Sequence, residues 1–256
     1  TYGLMALGAA AVGFRYGVFP VREVASVLVA LSAFVALGVS VRRKAAGVSG
    51  ATAEHDRRTA RVAAMTGIDR AVDAADDAAD DATGAAVREF PPVLDLVPVA
   101  FGAVGLVAAA IDAATDGGSD VLLSLLRTLV GAAFLGAVTD AMLLGHWYLV
   151  QPGLPRRLLN EIVSALGWIW PLEVIALLIP TGMVSVWTGA IDDGWSGTLG
   201  WFWGACAITT IVLVFVTRAA LKERQYSAVM AATGLLYLAI LTAFGTDIVA
   251  RAVLDA

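Results

Sequence analysis

Seven long apolar stretches, separated by more polar segments, dominate the pattern of the chain. They cover about residues 2–20, 24–41, 93–112, 121–149, 161–181, 197–217 and 227–249. A helix needs roughly 20 mostly apolar residues to cross a hydrocarbon core about 30 Å thick, and each stretch is close to that length. The pattern therefore predicts an all-α polytopic transmembrane helix bundle of about seven spans.

Composition excludes the main alternatives to a membrane protein. Of the 256 residues, 59% are hydrophobic and only 15% are charged, and the mean hydropathy is +0.80. Ordinary soluble domains are about 25% charged, and disordered chains are more polar still. Cys206 is the only cysteine, which excludes a disulfide scaffold, and 17 basic against 22 acidic residues argue against nucleic-acid binding. The partner that this composition predicts is the lipid bilayer.

The positions of the basic residues predict the orientation of the spans. Thirteen of the 17 lie in three segments: the polar segment after the second span, the loop after the fourth, and the loop after the sixth. Cytoplasmic loops carry an excess of Lys and Arg, so we expect a cytoplasmic N-terminus and an external C-terminus. The opposite loops carry aspartates instead. We expect the membrane to be a prokaryotic cytoplasmic membrane.

Residues 42–92 form the one long polar segment, which divides the chain into helices 1 and 2 (1–41), a cytoplasmic insertion (42–92) and helices 3 to 7 (93–256). Within the insertion, residues 52–87 are rich in Ala and free of Pro, a composition that favours helix. Small apolar residues recur there every seven positions, from Met65 to Ala86. This amphipathic helix is predicted to pack against the bundle or against other membrane subunits.

Aspartates line the other face of the predicted insertion helix, and we interpret them as a solvated surface. An alternative interpretation follows from their spacing, because Asp76, Asp77 and Asp80 have the DDxxD spacing found in prenyl-diphosphate enzymes. With Asp73, they would hold Mg²⁺ and a diphosphate, which makes a Mg-dependent lipid or isoprenoid enzyme an alternative function. The match lies in a repeated DAAD pattern, and no second Asp-rich motif follows.

Ionisable residues inside the predicted spans are the main functional candidates, because a charge at bilayer depth costs several kcal/mol. Asp140 and Arg127 lie in the fourth span, His146 at its inner end, and Glu173 in the fifth span after Pro171. The connection between these spans is short, so we expect antiparallel neighbours. We predict a buried polar site between them that moves or senses a proton, ion or small solute. The alternative is structural pairing of the acids with Arg127.

The histidines and lysines of the chain also limit which cofactors it could bind. With only His55 and His146, and His55 outside the membrane, a bis-histidine haem within the chain is excluded. Retinal needs a buried lysine, whereas Lys44 and Lys222 lie in cytoplasmic segments. No complete catalytic motif occurs, so we expect a protein that is not an enzyme. A non-catalytic accessory or scaffold subunit of a larger membrane complex, for example a respiratory one, is a further alternative.

Small residues recur every four positions in two of the spans. Ala9, Gly13 and Gly17 have this spacing, and so do Gly200 and Gly204. Small residues at such positions let helices approach closely. We expect them to serve packing within the chain.

Overall fold

The computed structural model describes residues 2–16, 19–43, 60–61, 91, 93–117, 120–150, 156–223 and 226–254, and every element in these ranges is a helix. The predicted insertion helix at 52–87 therefore lies outside the described residues, apart from residues 60–61. The same is true of the candidate metal ligands Asp73, Asp76, Asp77 and Asp80.

The described helices follow the predicted stretches closely. They are α1 (Tyr2–Tyr16), α2 (Pro20–Arg43), α3 (Val93–Gly117), α4 (Val121–Val150), α5 (Arg157–Leu178), the short α6 (Val184–Trp187), α7 (Thr198–Lys222) and α8 (Tyr226–Leu254). Six of them, all except α1 and α6, are long and apolar enough to cross a membrane. The apolar α1, with 15 residues, is shorter. The prediction of a polytopic helical bundle with about seven spans is confirmed, and the protein is an integral membrane protein.

The chain divides into two compact units, residues 1–112 and 113–256. Unit 1 consists of α1, α2 and most of α3, so the structure groups the third span with the first two. Close contacts in unit 1 occur at glycines: Gly3 faces the Phe34 ring, and a Cβ atom added to Gly105 would lie 3.3 Å from the Cβ of Ala25. Small residues thus bring the helices of this unit together.

Unit 2 contains the last turn of α3 and α4 to α8. Its core consists of apolar side chains from α4, α5, α7 and α8, and helices α7 and α8 are joined by a hydrogen bond of 2.8 Å from Thr210 Oγ1 to Thr242 Oγ1. The indole of Trp187 packs against Gly200 and Gly204 of α7. The expectation that this pair of glycines serves packing within the chain is confirmed.

The segment between α5 and α7 is held by a carboxylate. Asp193 Oδ1 accepts hydrogen bonds from the backbone N–H groups of Trp195 and Gly197, and Oδ2 accepts one from Leu199, all at 2.8–2.9 Å. Desolvation raises the pKa of Asp193, but these backbone donors outweigh it and lower the pKa below its ordinary value. Asp193 thus satisfies N–H groups that the first turn of α7 would otherwise leave unpaired.

Candidate functional site

Glu173 is a buried acid without a hydrogen-bond partner in the described part of unit 2. It lies on α5, two residues after Pro171, and its side chain is 0% exposed. Neither carboxyl oxygen has a hydrogen-bond partner among the described residues. Buried polar groups are almost always hydrogen-bonded, so a carboxyl in this state requires a functional or electrostatic explanation.

The charged neighbours of Glu173 come from α8. The charges of Asp247 and Arg251 act on its carboxyl group. These two residues are themselves an ion pair, in which Arg251 Nε donates to Asp247 Oδ1 at 2.8 Å and to Oδ2 at 2.9 Å. Asp247 is buried like Glu173. The site therefore contains two buried carboxyl groups and one guanidinium that directly binds only one of them.

A glycine on α4 makes room for this ion pair. A Cβ atom at Gly131 would lie 2.7 Å from Asp247 Oδ1 and would overlap the end of the Arg251 side chain. The absence of a side chain at this position therefore lets α8 place its charged pair against the α4 backbone. Arg251 Nη2 uses this proximity to donate a hydrogen bond of 3.0 Å to the carbonyl oxygen of Arg127.

The Arg127 side chain joins the same network at the end of α5. Its Nε donates to the Ala176 carbonyl oxygen at 3.2 Å and its Nη2 to the Ile179 carbonyl oxygen at 2.8 Å. Carbonyl groups at a helix C-terminus lack helical partners and carry partial negative charge. Arg127 therefore caps the helix that carries Glu173, and the network connects α4, α5 and α8 at one end of unit 2.

A second buried polar group without a partner lies at this end of the unit. Trp203 of α7 is buried, and its indole Nε1 makes no hydrogen bond within the described residues. It belongs to a core cluster with Leu177 and Ala250, which lie about one turn from Glu173 and Asp247 respectively. Nearby, the ring of Trp187 packs against Trp203 with centroids 5.4 Å apart. The indole N–H of Trp203 and the carboxyl group of Glu173, both without a hydrogen-bond partner among the described residues, therefore lie at the same end of unit 2.

The other predicted site residues occupy different surroundings. His146 is exposed, and its Nδ1 lies 3.2 Å from the hydroxyl oxygen of Tyr237. Asp140 is also exposed, thirteen residues from Arg127 along α4, which corresponds to about 20 Å of helix. Glu173 and Arg127 thus lie in connected surroundings, whereas a grouping of Asp140 and His146 with Glu173 stays a prediction.

The sequence alone does not single out two members of the network, Asp247 and Arg251. Asp247 lies close to the end of its predicted span, where water is near, and Arg251 lies beyond the predicted span 227–249. Their spacing of four residues is typical of a helical ion pair and is the signal that would have identified them. Gly131 carries no comparable signal, because its importance depends on which helix lies opposite.

Unit 1 contains a comparable cluster, which was also missed. Glu23, at the first turn of α2, is buried, and its Oε1 is bound by Arg22 at 2.7–2.8 Å. Arg22 also pairs with Asp112 of α3. A Cβ atom at Gly13 of α1 would overlap the Glu23 carboxylate. One guanidinium here joins two carboxylates from two helices.

The geometry of the described ranges contains no group of three or more His, Cys, Asp or Glu side chains that could hold a metal ion. The magnesium alternative and the accessory-subunit alternative depend on residues 52–87, outside those ranges, and stay predictions. In comparisons with known proteins, no family model, no curated protein and no solved structure matches this chain.

Proposed function

We propose that this integral membrane protein binds and releases a proton at Glu173, and that this exchange underlies proton movement or proton sensing across the membrane. The observation that carries the proposal is the fully buried Glu173 carboxyl, which has no hydrogen-bond partner among the described residues and lies beside the Asp247–Arg251 ion pair. Intramembrane carboxyl groups are rare and commonly belong to proton relays.

The charges around Glu173 favour a proton over a metal cation. Na⁺, Ca²⁺ and Mg²⁺ sites require several oxygen ligands, whereas this site has two carboxyl groups with guanidinium groups close by. Arg251 already neutralises one of the two carboxylates. No guanidinium among the described residues donates a hydrogen bond to Glu173, and a proton neutralises its carboxyl group without any further ligand.

Ionisation of Glu173 adds a second negative charge beside Asp247. Two like charges in a medium of low dielectric repel strongly, and Arg251 is held by both oxygens of Asp247 and by the Arg127 carbonyl group. Release of the proton from Glu173 Oε therefore favours movement of Arg251 towards Glu173. That movement would weaken the contacts that join α8 to α4, which links the protonation state to the packing of the helices.

Proton binding is tested first by infrared difference spectroscopy of the purified protein across a pH titration. We expect a C=O stretching band of a protonated carboxylic acid that Glu173→Gln removes. The control is Glu161→Gln, which changes an exposed glutamate on the same helix that pairs with Arg157 at 3.3 Å. An unchanged band in Glu173→Gln would contradict the proposal.

Proton movement is tested in liposomes that contain a pH-sensitive dye and are driven by a potassium diffusion potential. We expect Glu173→Gln to lower the rate of dye response at least tenfold, about 1.4 kcal/mol in barrier height, and Glu161→Gln to leave it unchanged. If both variants conduct like the original protein while the infrared band is lost, Glu173 binds a proton only for sensing. Transport by Glu173 would then be excluded.

A further inference from the structure

Glu173 lies much closer to one face of unit 2 than to the other. It precedes the end of α5 (Arg157–Leu178) by five residues, or about 7.5 Å along the helix, and follows the beginning of α5 by sixteen residues, or about 24 Å. The loop charges predict that the nearer face is external. The shorter route for a proton between Glu173 and water therefore leads to this face.

The chain between α5 and α7, residues 179–197, covers this face of the bundle, and we call it the covering segment. It turns back at Gly182, where φ is +37° and a Cβ atom would overlap the Leu177 carbonyl oxygen. The next N–H group, that of Met183, donates a hydrogen bond of 3.0 Å to the same oxygen. Met183 and Val186 are buried, whereas Val184 is exposed. The covering segment therefore has one face towards the bundle and one face away from it.

The buried face of the covering segment packs directly beyond the carboxyl groups of the site. Met183 and Val186 form one apolar cluster with Leu177 of α5 and Ala250 of α8. Leu177 lies one helical turn beyond Glu173, and Ala250 lies about one turn beyond the second carboxyl group of the site. Apolar side chains offer water no hydrogen-bond partner. This layer therefore separates Glu173 from water at the nearer face.

The apolar core is much deeper in the other direction. Between Glu173 and the beginning of α5, the fully buried side chains of Leu166, Val163 and Leu159 follow one another at successive turns. They pack in the main core cluster with side chains of α4, α7 and α8. A proton that came from that side would cross about 24 Å of packed core, against a single apolar layer at the nearer face.

The covering segment is attached to the long helices mainly near its two ends. Met183 donates to a carbonyl oxygen of α5, and Asp193 accepts from the first turn of α7. Between these ends, Ala190 and Ile191 both donate to the carbonyl oxygen of Ser185, so these hydrogen bonds stay within the segment. Separating the middle of the segment from the bundle therefore breaks mainly apolar contacts. Regions held in this way open locally at low free energy.

We propose that Met183 and Val186 form an apolar seal that limits proton exchange at Glu173, and that the proton enters and leaves at the face that the covering segment occupies. This inference rests on the proposed function, because it needs a proton that exchanges at Glu173. When the seal separates from Leu177, water reaches Glu173 Oε. The carboxylate then takes up a proton from this water, or the carboxylic acid releases one to it.

The test measures the rate of proton exchange at Glu173 by infrared spectroscopy after rapid transfer of the purified protein from H₂O to D₂O. The C=O band that Glu173→Gln removes should shift as the deuteron replaces the proton. Met183→Ala and Val186→Ala each leave a cavity in the seal, and each should raise the rate of this shift at least about tenfold. Met183→Leu keeps nearly the same volume and should change the rate less than about twofold.

Two control variants separate the seal from general loosening of the fold. Leu159→Ala deletes a side chain as fully buried as that of Met183, but at the opposite end of α5. Val184→Ala changes an exposed side chain of the covering segment itself. Both should change the exchange rate less than about twofold.

Three results would overturn the seal and leave the proposed function standing, because the band of Glu173 is present in each. The first is equal acceleration by Leu159→Ala and Met183→Ala, the second is the same rate in all variants, and the third is a shift complete within the mixing time in the original protein. A missing band in the original protein would instead overturn proton binding at Glu173, and the seal with it.

Discussion

Both units of this protein bury carboxyl groups next to an arginine and a helix glycine, yet the two clusters differ in how their charges are used. In unit 1, Arg22 binds both Glu23 and Asp112, and Glu23 lies over Gly13. In unit 2, the pair of Asp247 and Arg251 lies over Gly131. The ingredients are the same, namely two acids, one guanidinium and one glycine.

The difference is the second acid of each cluster. Arg22 has a carboxylate on either side, so both acids in unit 1 are bound by the same guanidinium. In unit 2, Arg251 turns its remaining nitrogen to the Arg127 carbonyl oxygen, and Glu173 is left without a hydrogen bond. A fully paired cluster is expected to hold helices together, whereas an acid without a partner is available for proton exchange. Both clusters contain buried acids. Whether an acid has a hydrogen-bond partner, and not its burial alone, therefore separates a role in holding helices together from a role in proton exchange.

The largest expected effect is on stability, from removing the guanidinium in unit 1. Arg22→Gln leaves the carboxylate of Glu23, which is 1% exposed, without its ion partner, and breaking a buried pair in this way costs about 3–5 kcal/mol. The free energy of unfolding, measured in mixed micelles with increasing denaturing detergent, should fall by about that amount. Arg22→Gln/Glu23→Gln should recover much of the loss, because it removes the charge that was left unpaired.

For the acid in unit 2, we expect the free energy of unfolding to change little. Glu173→Gln replaces a carboxyl group whose oxygens have no hydrogen-bond partner among the described residues, so the free energy of unfolding should change by less than about 1 kcal/mol. A loss of about 3 kcal/mol in this variant would mean that Glu173 is a structural ion partner like Glu23. The comparison between the units would then fail.

The next effect concerns the glycines under the clusters. Gly13→Ala places a Cβ atom in the space of the Glu23 carboxylate, and overpacking of this kind costs about 1–3 kcal/mol. The control is Gly8→Ala on the same helix, where no atom lies within 4 Å. Alanine favours helix over glycine by up to about 1 kcal/mol, so the control should be neutral or stabilising. Unfolding transitions of the two variants check the contrast.

The same comparison of two glycine-to-alanine variants on one helix can be made in unit 2. Gly131→Ala should disturb the contact between α4 and the Asp247–Arg251 pair, whereas Gly136→Ala on the same helix meets nothing within 4 Å. If both alanine variants of α4 were as stable as the original protein, the close approach at Gly131 would not be needed to place the ion pair.

The smallest effect is expected at Asp193, whose carboxylate accepts hydrogen bonds from backbone N–H groups. The pKa of Asp193 lies below its ordinary value, because backbone donors bind its ionised form. Its contribution to the first turn of α7 is therefore present above pH about 4, the ordinary value for Asp, and is lost as the pH falls through the lowered pKa. The protection of the Gly197 and Leu199 amides against hydrogen exchange, taken relative to the intrinsic exchange rate at each pH, should fall in that range.

Asp193→Asn serves as the control for this pH dependence. It should lower the protection of the two amides at neutral pH and remove the further loss of protection at low pH. Asp192→Asn, which changes a residue that accepts a hydrogen bond from the Gly194 amide, should leave the protection of both amides nearly unchanged. Identical profiles for the two variants would contradict the role of Asp193.

The functional candidates show how far prediction from the sequence extended. Glu173 and Arg127 were identified because charge is rare inside apolar stretches, and the structure places Arg127 at the end of the helix that carries Glu173. The neighbour of Glu173 was expected on α4, because the loop between α4 and α5 is short. The structure also places charges of α8 beside it, and a short loop does not indicate which further helix contributes to the site.

The number, lengths and helical nature of the spans followed from the sequence alone. Apolar stretches of about 20 residues can satisfy their backbone hydrogen bonds in a bilayer only as helices or closed barrels, and these stretches are too long and too uniformly apolar for strands. Only the tertiary structure decided which charges meet. Contacts such as Gly131 against Arg251 join residues 120 positions apart, and they depend on which helix faces lie opposite one another. The physical reason is that hydrophobicity acts on each segment separately, whereas ion pairing acts between segments.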